Sequence, residues 1–81
     1  MEKESTQSEI VIHTPYIQLG QLMKIIGLIE TGGQIKSFLN QNPIQVNQQP
    51  EQRRGRKLYP GDQIMVQKRL ITIKGLWRFN V

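Results

Sequence analysis

Residues 30–49 read ETGGQIKSFLNQNPIQVNQQ, and the fold turns on where the hydrophobic period changes inside them. Thr31 followed three residues later by Gln34 is a capping-box pattern, in which hydroxyl and amide satisfy the first backbone donors of a helix reciprocally. Ile35, Phe38 and Leu39 then share one helical face, and Gly33, Lys36, Ser37 and Asn40 share the opposite, polar one. Asn42-Pro43 stops the helix, because the residue before a proline avoids helical dihedrals. From Ile44 the period drops to two: Ile44 and Val46 point one way, Gln45 and Asn47 the other. A short helix over 30–43 therefore feeds a strand over 42–49.

The flanking segments extend this pattern. Upstream, QLGQLMKIIGLI (18–29) places Leu19, Leu22, Met23 and Ile26 on one stripe with Lys24 outside, which predicts a first helix. Gly27 is placed to end it in a left-handed cap. Leu22 and Met23 are assigned to the core and not to a ligand pocket. EIVIHT (9–14) alternates and reads as a strand ended by Pro15. Downstream, 47–57 is devoid of apolar residues and reads as one long loop. YPGD (59–62) is a β-turn with Pro60 supplying the fixed φ and Gly61 the positive one. QIMVQ (63–67), LITIK (70–74) and LWRFNV (76–81) are alternating runs hinged at Lys68-Arg69 and at Gly75. The expected fold is α+β: two short helices packed on a small, mostly antiparallel sheet, with an added N-terminal strand and a C-terminal strand meander.

Eighty-one residues make a single domain, here read as a flexible tail over 1–8 and one folded unit over 9–81. The chain has no cysteine, so neither disulfides nor thiolate metal sites contribute, which fits a reducing cytoplasm. The apolar run IIGLI (25–29) is far short of the roughly 20 residues that span a bilayer. MEKESTQS at the start has no apolar segment that would make it a secretory signal. A soluble, cytoplasmic protein is expected.

The charge is lopsided. The net value is +5, yet residues 1–52 carry three lysines against five glutamates, while 53–81 carry eight Lys or Arg against Asp62 alone. Within that half, Arg53, Arg54, Arg56 and Lys57 fall within five residues, split by Gly55. Such asymmetry points to a polyanionic partner, most often nucleic acid. A solvated charged loop is the plain alternative.

The order of these motifs resembles the S-four-type RNA-binding domain, in particular its small stand-alone bacterial members. The resemblance rests on GLIETGGQIKSFLNQNPIQVNQQ, the basic RRGRKL segment and KLYPGDQIMV, and covers roughly 17–67. It implies an α-α-β-loop-β core that lays its second helix and neighbouring loop against structured RNA, rRNA or tRNA, with the ribosome as a candidate partner. On that analogy the contact residues are Thr31, Gly33, Gln34, Lys36 and Ser37 on the helix, Asn47 at the strand end, and Arg53, Arg54, Arg56 and Lys57 in the loop. Three departures stand out. Many members carry Ser-Arg where this chain has Thr31-Gly32 or Gly32-Gly33, which shifts the expected phosphate contacts toward 53–57. Ile35 stands where alanine is common. Gln48 replaces a glycine that often follows the asparagine, which predicts a wider hairpin turn.

The chemistry is consistent with that reading. Arginine forks suit phosphates bidentately, Gly32 and Gly33 allow an anion close to backbone donors, and Gln34, Ser37 and Asn47 have the reach for 2′-hydroxyls and base edges. Capping alone accounts for Thr31 and Gln34. Lys36 is balanced between phosphate contact and a solvated helix face. Tyr59 is expected to pack under the turn in preference to stacking on a base, and Trp77 to be core or partner-facing. Catalysis is rejected: His13, the only histidine, lies in a strand without a carboxylate neighbour in sequence, Asp62 is explained by its turn, and the glycines make no dinucleotide fingerprint. No cofactor, metal, membrane or small-molecule substrate is expected, and the chain is read as a monomer. The competing reading is a protein-interaction module docking through a strand edge and Trp77-Phe79, its basic face incidental.

Overall fold

The computed structural model describes residues 6–75. Its elements run β1 (Thr6–Ile12), β2 (Ile17–Gln18), α1 (Leu19–Ile25), a 3₁₀ turn (Gly32–Gln34), α2 (Ile35–Gln41), β3 (Ile44–Val46), β4 (Gln49–Pro50), β5 (Lys57–Leu58), β6 (Gln63–Val66) and β7 (Arg69–Gly75). Five strands form one sheet in the order β1-β7-β6-β3-β4, and β2 with β5 forms a separate two-stranded ribbon. All pairings are antiparallel except that of β1 with β7. The α+β architecture is as expected.

The core follows from the two periods. Register places Val46 opposite Ile64 and Ile64 opposite Ile71, so inward residues of three strands form a row across the sheet. Onto it pack Leu19, Leu22 and Met23 of α1 and Ile35 and Leu39 of α2, joined by Ile29 from the connection and Leu58 from β5, in one buried cluster. The apolar stripe of each helix is thus the side facing the sheet.

The helix ends obey local rules. Gly27 has φ +81°, its amide donates to the Lys24 carbonyl (3.1 Å), and the Leu28 amide donates to the Met23 carbonyl (3.0 Å). These two bonds define a Schellman motif. Before α2 the Gln34 carboxamide accepts from the amides of Glu30 (2.6 Å) and Thr31 (3.1 Å), and the capping box with Thr31 is present. The first turn is 3₁₀ and not α-helical, so Gly32 and Gly33 front a tighter helix start than expected. Asn42 is extended, as the following proline requires.

Several expectations need correction. The supposed loop 47–57 contains β4 and the first residue of β5, which leaves 51–56 as the loop proper. Gln48 does not widen the β3–β4 turn. Asn47 (φ +53°) and Gln48 (φ +71°) form a tight two-residue connection with Val46 opposite Gln49, the positive-φ pair of a type I′ hairpin. Gln67 (+51°) and Lys68 (+66°) do the same between β6 and β7, so the hinge falls one residue before Lys68-Arg69. Gly75 belongs to β7 and pairs with Ile12, and the hinge expected there leads into a run that is not described. β1 begins at Thr6, not Glu9, and ends before His13. The run 76–81, with Trp77, Phe79 and Val81, lies outside the described residues.

Candidate nucleic-acid interface

The basic loop is a fixed structure organised by one buried carboxylate. Glu51 is only 7% exposed, and both of its oxygens are filled. Oε2 accepts from the amides of Gln52 (3.1 Å) and Arg53 (3.0 Å) and from Arg53 Nε (3.0 Å). Oε1 accepts from Arg53 Nη2 (3.2 Å) and Arg56 Nη1 (2.7 Å). The Arg53 side-chain bond, foremost, with the Arg53 amide and Arg56 behind it, holds the Glu51 carboxyl down at about 2 against the upward push of burial. The same contact raises the Arg53 guanidinium. The Glu51 amide donates to the Ile44 carbonyl (2.9 Å) and ties the whole arrangement to β3.

The other side of the loop is held by α1. The Leu19 amide donates to the Arg56 carbonyl (2.8 Å), and the Gly20 amide to the Arg54 carbonyl (2.9 Å). A Cβ on Gly20 would lie 3.5 Å from both Arg54 Cβ and the Arg54 carbonyl oxygen and 3.6 Å from Ile35. Gly20 is therefore where helix, loop and α2 meet. An Arg56 amide bonded to the Arg53 carbonyl (3.1 Å) turns the chain at Arg54-Gly55, so the Arg54 side chain stands at the tip of a double-anchored turn.

This geometry divides the four loop cations. Arg53 and Arg56 are paired with Glu51, although the Arg53 side chain stays 76% exposed. Among the described residues Arg54 has no carboxylate partner. It borders a cleft of about 820 Å³ with Gly32, Gly55, Gln21 and Lys24 around an apolar floor of Ile25, Ile29 and Ile35. It also borders a second cleft, of about 410 Å³, shared with Lys36, Asn40 and Gln52. Loop and second helix thus converge at Arg54. Gly33, Lys36 and Ser37 are exposed on that helix, and a Cβ at Gly32 would meet nothing within 4 Å, so the backbone there is open to approach. Thr31 and Gln34 are exposed but spent on the cap.

Lys57 faces elsewhere. Its Nζ lies 4.9 Å from the centre of the Tyr16 ring, beside the β2–β5 ribbon. Asn47 is also apart: it sits at the turn end of the β3–β4 hairpin, whereas Glu51 meets Ile44 at the other end. Its side chain is engaged. Nδ2 donates to Asp62 Oδ1 (3.0 Å) and Oδ1 accepts from the Gln63 amide (3.0 Å). Asp62 in turn accepts from the Tyr59 amide at 2.8 Å. Asn47 thus braces the YPGD turn, whose Gly61 has the expected positive φ of +98°.

Glu51 and Gly20 were not singled out from the sequence. For Glu51 a signal existed: a carboxylate two residues ahead of an arginine run is its nearest neutralising group, and buried charges need partners. For Gly20 there was none, because its role depends on a loop more than thirty residues away. Among the described residues no helix is long and apolar enough to cross a membrane, and no group of three His, Cys, Asp or Glu is placed to hold a metal.

A helix pair, an antiparallel β3–β6 pair and a pinned basic turn between those strands are the layout of an S4 domain, and the S4 domain family model matches residues 10–74. The chain belongs to that family. It is also 45% identical over 72 residues to the probable ribosome maturation protein RlbA of Bacillus subtilis (strain 168), an alignment covering 89% of this chain and 92% of that protein.

Proposed function

We propose that this protein is a non-catalytic RNA-binding protein that recognises structured RNA, ribosomal RNA or tRNA, during ribosome maturation or translation. It acts as a monomer in the bacterial cytoplasm, without cofactor, metal or small-molecule substrate. Membership of the S4 domain family and the similarity to a ribosome maturation protein support the reading. The observation that carries it is Arg54, a cation held by two backbone anchors between α1 and α2, next to Lys36 and an open diglycine.

In this reading Arg54 and Lys36 contact neighbouring phosphates, Arg53, Arg56 and Lys57 add a flanking positive field, and Gly33, Ser37 and the Gly32 backbone meet the ribose-phosphate edge. Thr31, Gln34 and Asn47 serve chiefly by shaping the surface.

The test is the salt dependence of binding to a synthetic RNA hairpin, with double-stranded DNA as competitor. Removing one phosphate-binding cation flattens the log–log slope by about 0.7–0.9. Arg54→Ala and Lys36→Ala should each do so with the melting temperature unchanged. A double variant that keeps the wild-type slope and affinity refutes the assignment. Crosslinking in cells, followed by sequencing of the attached RNA, identifies the target.

A further inference from the structure

Two tyrosines lie at the protein surface, not in the core. Tyr16 is 36% and Tyr59 47% exposed, although the residue just before Tyr59, Leu58 of β5, is fully buried. Their ring centres are 5.7 Å apart at an interplanar angle of 48°, and Lys57 Nζ covers the Tyr16 ring. The expectation that Tyr59 packs under the YPGD turn is therefore corrected: the backbone of Tyr59 is held by Asp62, while its ring leans on Tyr16 and opens outward.

That ring forms one wall of a cleft whose other lining residues are Arg53, Gly55, Arg56 and Lys57. One aromatic face among three cations, still net positive after the single Glu51 carboxylate has bonded Arg53 and Arg56 behind the lining, matches a ligand that is both planar and anionic. Asp62, at the foot of the turn, has its carboxylate occupied by the Tyr59 amide and by Asn47. We infer that Tyr59, backed by Tyr16, is a stacking platform for one unpaired nucleobase of the bound RNA, with Lys57 and Arg53 beside the flanking phosphates.

The physical basis is general. Every base presents a π-face, and stacking on an aromatic side chain is sequence-tolerant, whereas duplex RNA offers its bases only where they are bulged or looped out. Tilted packing against Tyr16 keeps Tyr59 from collapsing onto the protein, so little side-chain freedom is lost on binding. The platform thus discriminates helices with an extruded base from perfect helices, a property distinct from the charge at Arg54. The inference rests on the RNA-binding reading above.

The experiment compares two synthetic hairpins, one fully paired and one with a single bulged uridine, by titration at fixed salt. The wild-type protein should prefer the bulged hairpin by about fivefold to a hundredfold. Tyr59→Leu should erase that preference while keeping affinity for the paired hairpin, and Tyr59→Phe should retain it. With 5-iodouridine at the bulge, irradiation of the wild-type complex should join the RNA to Tyr59 or Tyr16. A preference that survives in Tyr59→Leu overturns the platform, as does a crosslink mapped to another region, which also decides the case should Tyr59→Leu not fold. If the wild-type protein binds both hairpins equally, the platform alone fails. Binding to neither brings down the RNA-binding reading, and the platform with it.

Discussion

The Gly20 amide donates to the Arg54 carbonyl over 2.9 Å, and this one contact joins the start of α1 to the tip of the basic turn. A Cβ at position 20 would meet Arg54 and Ile35 at 3.5–3.6 Å, which is ordinary packing distance, so alanine fits, whereas a longer branched side chain has to pass Arg54 and Ile35 to reach the cleft that Gly20 also lines. Gly20→Ala should fold and bind RNA as the wild type does, and gain up to about 1 kcal/mol from helix propensity. Gly20→Leu should push the turn away from α1, weakening RNA binding while the sheet persists. Urea denaturation and hairpin titration of the pair check this; equal RNA affinity of the two variants would show that the turn does not depend on its helix anchor.

Glu51 sets a pH dependence. Its carboxyl titrates at about 2 in the folded chain against an ordinary value of 4.5. The unfolded state therefore takes up the proton first, and stability is complete above about pH 4.5 and declines as pH falls toward 2. Discounted for screening near the surface, the contribution is on the order of 2 kcal/mol. Glu51→Gln should lose it at neutral pH and flatten the acid limb of a stability-versus-pH curve. An acid limb identical to that of the wild type would assign the effect to other carboxylates.

Asn47 and Gln48 occupy the same left-handed region but should respond oppositely to glycine. Gln48 is exposed with no side-chain hydrogen bond among the described residues, so Gln48→Gly relieves backbone strain and should stabilise by about 0.5–1 kcal/mol. Asn47→Gly relieves strain too, but it removes the bonds to Asp62 and the Gln63 amide, and should cost about 1–2 kcal/mol net. Thermal melts of the two variants read the signs directly. If both stabilise, the brace on the YPGD turn carries no weight.

Much of this architecture could be read in advance because its causes are local. A capping box at Thr31-Gln34, a left-handed stop at Gly27, the proline after Asn42 and the shift from helical to alternating period at Ile44 each act within a few residues. The identity of the basic segment as a surface feature was equally plain from the charge. The turn at Gln48 is not legible locally: the missing glycine points to a wider turn, whereas pairing of Val46 with Gln49 forces a tight connection even at the cost of backbone strain.

The amino-acid order by itself determined the helices, their stops, the alternating strands and the concentration of cations after residue 52, since these follow from steric and periodic preferences of neighbouring residues. Only the tertiary structure decided which cations are free. Glu51 folds back on Arg53 and Arg56, Gly20 takes hold of Arg54, Lys57 turns to Tyr16, and Asn47 is absorbed by the turn at Asp62. β1 joins the sheet parallel to β7, a strand more than fifty residues further along the chain. Each of these pairs residues according to burial and distance across the fold, and charge counted along a chain carries no information about which charges meet.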